Sequence, residues 1–160
     1  MRLWHYKLIP VLPRQQLISQ WRECCGIAKL IFYQKTPNHI LINKVTEYPA
    51  WQFMSYCHQV ITEMKRRGYS ITMASWIALD ENLMYSEEEG YFANEDDFIY
   101  DPNKLFSEWH NDRYLRQCYY NLQEKYDCGG ITDEEWQKIE DLVDKTNVMM
   151  YELIVKESKE

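Results

Sequence analysis

The sequence predicts an all-α fold, a compact single-domain helical bundle with an acidic loop and an extra C-terminal helix. Three observations point there. Apolar residues recur at three- and four-residue spacing in four long stretches, the period of a helix with one buried face. Only 5 Gly and 5 Pro occur in 160 residues, too few for the many turns of a β sandwich or barrel. At 46% apolar and 15% aromatic residues the chain can bury a real core, which excludes a disordered polypeptide. The length suits a single domain over 1–160, against a usual size of roughly 100–200 residues.

The first helix is expected over roughly 13–34, where Leu17, Trp21, Cys24, Ala28 and Ile31 form one stripe and Pro13 suits the first turn. A short helix follows Pro37-Asn38. After Pro49, Phe53, Cys57, Val60, Ile61 and Met64 mark a second long helix. Lys65-Arg66-Arg67-Gly68 ends it, a basic last turn followed by glycine. Residues 71–79 are apolar and too short to assign. Residues 80–101 are acidic, aromatic-spotted and aperiodic, and read as a loop. Asp101-Pro102 opens a third helix to about 126, carrying Leu105, Trp109, Leu115 and Leu122. Cys128-Gly129-Gly130 breaks it. The capping box Thr132-Asp133-Glu134-Glu135 then starts the final helix of 131–160, with Trp136, Ile139, Leu142, Val143, Met150 and Leu153.

Several function classes fall away on composition. No stretch approaches the roughly 18 apolar residues of a membrane helix, so no membrane partner is expected. The start of the chain has no apolar segment with a small-residue cleavage site, which favours a cytoplasmic protein. The five cysteines at 24, 25, 57, 118 and 128 form no Cys-x-x-Cys. Reduced thiols are therefore expected rather than a disulfide framework or a zinc cage, with no metal and no cofactor. The net charge of −7 argues against nucleic acid only until its distribution is read. Residues 1–79 carry +7, residues 80–101 carry −9, 102–130 are balanced and 131–160 carry −5. The N-terminal half is basic enough to meet phosphate.

Glu23 is the first residue that could carry chemistry. It lies off the apolar stripe of its helix together with Arg22, and a neighbouring guanidinium would hold the carboxylate ionised. By spacing alone the pair reads first as a solvated helix face. Lys65, Arg66 and Arg67 suit phosphate binding and equally suit the negative end of a helix dipole. His39 could stack or donate in a DNA pocket, or cap a short helix. His5, His58 and His110 read as structural histidines.

A resemblance narrows these choices. Met1-Arg2-Leu3-Trp4, Leu12, Gln15-Gln16-Leu17 and Trp21-Arg22-Glu23 follow one another as at the start of the pyrimidine-dimer DNA glycosylase family. Thr36-Pro37-Asn38-His39-Ile40-Leu41 resembles a later segment of that family, and Glu63-Met64-Lys65-Arg66-Arg67-Gly68-Tyr69 is similar to one of its helix ends. Asn121-Leu122-Gln123-Glu124-Lys125 is loosely similar to a further segment. The resemblance implies a metal-free DNA-repair glycosylase with abasic-site lyase activity on damaged double-stranded DNA. It implies the Met1 α-amine as nucleophile, Glu23 as its acid–base partner, and Arg2, Arg22, His39, Lys65, Arg66, Arg67 and Lys125 as DNA-binding residues. Two other readings remain open: a non-catalytic nucleic-acid-binding relative, and a protein-interaction module using the acidic loop.

Overall fold

The computed structural model describes residues 2–33, 35–84 and 105–157, with backbone alone at 80, 82–84 and 147–157. It is all-α, with no strand among the described residues. A 3-10 turn, Tyr6–Val11, comes first. Then follow α1 (Arg14–Phe32), α2 (Ile40–Asn43) running into a second 3-10 turn (Lys44–Glu47), α3 (Ala50–Arg66), α4 (Met73–Met84), α5 (Asp112–Asp127) and α6 (Asp133–Glu157). Helix α1 packs against α3 and α4, the first 3-10 turn lies against α3 and α6, and α5 packs on α6. Leu3, Leu8, Leu12, Leu17, Phe53, Tyr56, Phe106 and Leu122 are fully buried between them.

Helix α1 forms where its stripe predicts, with Leu17, Trp21, Cys24, Ile27 and Ala28 buried and Pro13 capping its start. Helix α3 ends on Gly68 at φ 74°, a left-handed conformation that glycine adopts without steric cost. There the Tyr69 N–H bonds to the Met64 carbonyl at 2.9 Å. Helix α6 opens on the expected capping box: the Thr132 hydroxyl accepts from the Glu135 N–H at 3.3 Å, and the Glu135 carboxylate accepts from the Thr132 N–H at 3.2 Å.

Two expectations are corrected, and one element is added: the 3-10 turn at Tyr6–Val11, which has no apolar period. Residues 71–79 contribute to α4, which runs on through 84, so the start of the acidic segment is helical and not loop. The remainder of that segment lies outside the described residues. The third helix begins at Asp112 rather than near 101. Leu105 and Trp109 are buried, but in turns. Phe106 sits at φ 51°, which no helix tolerates, and its N–H is held by the Gln52 side chain of α3 at 2.6 Å. Asn111 then caps α5 by accepting from the Tyr114 N–H at 3.0 Å.

Candidate active site

Residues 2–5 have no regular structure, yet side chains from three helices and from the turn before α5 bind the backbone of residues 2–6. Glu23 Oε2 accepts from the Arg2 N–H at 3.1 Å. The Tyr114 hydroxyl donates to the Leu3 carbonyl at 2.7 Å. Gln20 Oε1 accepts from the Trp4 N–H at 2.8 Å, and the Tyr56 hydroxyl donates to the Trp4 carbonyl at 2.7 Å. His110 Nδ1 accepts from the Tyr6 N–H at 3.2 Å. Chain starts ordinarily fray unless tied down. Here buried polar groups take the place of a sheet ladder.

The start of the chain runs into a polar cleft of about 500 Å³ lined by Arg2, Trp4, Gln15, Gln16, Ser19, Glu23, His39, Leu41, Asn121 and Lys125. Helix geometry explains the α1 contribution. Positions 16, 19 and 23 share one face because they are three, four and seven residues apart, and position 15 lies one turn before 19. Asn121 and Lys125 are one turn apart on α5, and His39 precedes α2. Four residues expected from the sequence line this cleft: Arg2, Glu23, His39 and Lys125. Met1 itself lies outside the described residues. Trp4, Gln15, Gln16, Leu41 and Asn121 stood in the quoted motifs without an assigned role. Ser19 carried no signal beyond its spacing from Glu23.

Burial pushes the Glu23 carboxyl above the usual carboxylate range. The Arg2 N–H, the charge of the amino terminus, the His39 ring and the Gln20 amide pull it back without cancelling that effect. This corrects the expectation of an Arg22-held carboxylate. Adjacent helical residues point about 100° apart, and Arg22 lines a different groove with Arg14, Trp21, Tyr69, Thr72 and Ser75. The Arg2 guanidinium lies 5.7 Å from the Trp4 ring centroid. His39 heads α2 through its carbonyl, which accepts from the Ile42 and Asn43 N–H groups, so its ring is left to the cleft. His39 Nδ1 and Gln16 Oε1 are buried atoms with no hydrogen-bond partner among the described residues.

The basic cluster at the end of α3 is not equivalent along its length. Arg67 is committed within the fold. Its guanidinium bonds Glu63 and donates to the carbonyls of Leu12 at 2.6 Å and Pro10 at 3.0 Å, clamping the 3-10 turn. Arg66 pairs with Glu63 at 2.6 Å but stays largely exposed, and Lys65 lies 5.9 Å from the Trp76 ring. Burial alone would raise the Glu63 carboxyl, but the bonds from Arg66 and Arg67 outweigh it and hold the group below its ordinary value. His5 and His110 are buried and stacked at 5.1 Å, as structural histidines.

Among the described residues no helix is long and apolar enough to cross a membrane, and no three His, Cys, Asp or Glu gather as a metal site. No curated protein and no solved structure matches the chain. Residues 1–76, which contain every cleft residue except Asn121 and Lys125, match the family model described as pyrimidine dimer DNA glycosylase.

Proposed function

We propose that the protein is a DNA glycosylase with abasic-site lyase activity on damaged duplex DNA, using the α-amine of Met1 and the carboxyl of Glu23. The observation that carries this reading is the 3.1 Å bond from the Arg2 N–H to Glu23 Oε2. Three covalent bonds separate that nitrogen from the α-amine, which supports pairing the proposed nucleophile with this carboxyl. An α-amine has a reference pKa of about 7.7–8.0, so a useful fraction is neutral near pH 7.

The amine attacks C1′ of the damaged nucleotide as the bond to the base breaks. The sugar ring opens, its O4′ takes a proton, and an iminium links the amine to C1′. Loss of a C2′ proton then expels the 3′ phosphate by β-elimination. Glu23 suits two of these steps. As a carboxylate it stabilises the cationic sugar and iminium, and as an acid–base group it moves the protons at O4′ and C2′. A partly buried carboxyl with a raised proton affinity is matched to proton transfer. Arg2, His39 and Lys125 supply phosphate contacts around the cleft, with Lys65 and Arg66 as outer contacts. Arg22 would reach phosphate from the neighbouring groove, and Arg67 serves chiefly to hold the fold.

Borohydride reduction of the protein on a duplex containing an abasic site tests this. A covalent adduct on the N-terminal peptide is expected, and acetylating the amine should abolish it. Glu23→Gln should lose at least a hundredfold in strand cleavage, on the order of an acid–base contribution. An adduct mapped to an internal lysine would move the nucleophile. Salt-sensitive binding with no adduct on any damaged duplex would leave a non-catalytic DNA-binding protein.

A further inference from the structure

Gln20 faces the core on α1 and is 1% exposed, yet its side chain touches both halves of the site. The Trp4 N–H can only donate, so the amide atom 2.8 Å from it must be the oxygen. The Tyr56 hydroxyl, 3.1 Å from the same oxygen, belongs to the same network. With Oε1 fixed, Nε2 has one orientation left, and it lies 3.4 Å from Glu23 Oε2. That oxygen also accepts the Arg2 N–H. Every group in this chain is tied to a neighbour on a different element: the N-terminal arm, α1 and α3.

We propose that Gln20 is a positioning residue for Glu23, its locked amide donating to Oε2 and thereby setting how readily that carboxyl holds a proton. The proposal deepens the glycosylase–lyase reading and rests on it for its catalytic consequence. An N–H donor stabilises the ionised carboxylate and opposes the burial that favours the acid form. Other groups facing Glu23 are the Arg2 N–H and the amino-terminal charge from the N-terminal arm, and His39 from the start of α2. Arg2 and Lys125 add their charges in the cleft wall. Gln20 differs from these in being buried, uncharged and out of reach of substrate. It can tune Glu23 without contributing to DNA affinity.

Two substitutions separate tuning from scaffolding. Gln20→Glu keeps an oxygen for the Trp4 N–H and the Tyr56 hydroxyl and replaces the donor with a second carboxyl. The two acids must then share a proton. Gln20→Met removes the donor and leaves no charge. The full-length protein, with 13C-labelled glutamate carboxyls, is titrated by NMR, with Glu23 assigned from the signal lost in Glu23→Gln. The Glu23 midpoint should rise by about half a unit to one unit in Gln20→Met, and by more than about one unit in Gln20→Glu. The acid limb of the pH–rate profile on abasic duplex should move with it, at little change in KM. Midpoints equal to wild type in Gln20→Glu would overturn the proposal. If Gln20→Met does not fold, Gln20→Glu decides alone. A wild-type protein that never forms an adduct would instead sink the glycosylase–lyase reading, while the carboxyl titration would still decide the role of Gln20.

Discussion

Arg66 and Arg67 are neighbours of the same type, and the fold uses them differently. Arg67 donates to Glu63 and bridges the end of α3 to the carbonyls of Pro10 and Leu12, in and just after the 3-10 turn. Arg66 reaches the same Glu63 carboxylate from the solvent side. Hydrogen bonds to a charged group that is largely shielded contribute about 1.5–3 kcal/mol, whereas exposed pairs contribute little. Arg67→Ala should therefore lower unfolding free energy by about 2 kcal/mol in urea titration, while Arg66→Ala should leave the midpoint nearly unchanged. A DNA-binding assay should show the reverse order, with Arg66→Ala weakening binding and Arg67→Ala doing so only as far as it loosens the fold. Equal stability losses for the two would refute the clamp. No spacing rule could have told them apart. The distinction depends on which carbonyls the 3-10 turn brings beneath the helix end.

The N-terminal arm and the turn before α5 depend on each other through two histidines. His5 Nδ1 accepts from the Lys7 N–H at 3.2 Å, and its Nε2 faces the His110 carbonyl at 2.8 Å. His110 Nδ1 accepts from the Tyr6 N–H. Protonating either acceptor nitrogen would break a backbone bond in a buried place. Burial accordingly lowers His5 to about 4 and lowers His110 well below its ordinary value. The folded state thus holds fewer protons than the unfolded chain, whose histidines titrate near 6.5. Stability is complete above that value and is lost as pH falls toward the folded-state values. From His5 alone the loss at pH 5 is on the order of 2 kcal/mol. Most carboxylates are still ionised there, so urea midpoints at pH 7.5, 6 and 5 isolate the effect. A flat series would mean that the rings take up protons in place. Periodicity could reveal α1, α3 and α6 because each buries one face. It could not reveal this lock. Leu105 and Trp109 mimic helical spacing, and the residue that forbids a helix there, Phe106, is held by Gln52 from more than fifty positions away. Polar motifs made the cleft itself more legible. Glu23, His39 and Lys125 converge in it, and Gln20 stayed hidden inside the apolar face of α1.

Over the whole molecule, the proposed function requires a chain of net charge −7 to bring polyanionic DNA to a cleft that contains a carboxyl. Local charge can do this because +7 resides in residues 1–79, and Lys125 of α5 adds to the same wall. Salt screens repulsion between charges separated by more than about 10 Å at 0.1 M, so at working ionic strength the cations of the cleft wall count for more than any acidic residue beyond that distance. Two substitutions in one cleft should then act oppositely. Lys125→Gln removes a phosphate contact, so affinity should fall on every duplex alike, and the slope of log affinity against log salt should shrink by about 1. Glu23→Gln removes a negative charge that phosphate must approach. Affinity for abasic duplex should hold or tighten, with the slope unchanged, while strand cleavage disappears. Fluorescence anisotropy from 50 to 200 mM salt measures both. If Glu23→Gln weakened binding as much as Lys125→Gln, the carboxyl would be holding the DNA or the fold rather than acting on the sugar. If Lys125→Gln left the slope untouched, DNA would approach from another face. The groove beside Arg14 and Arg22 would then be the first place to look.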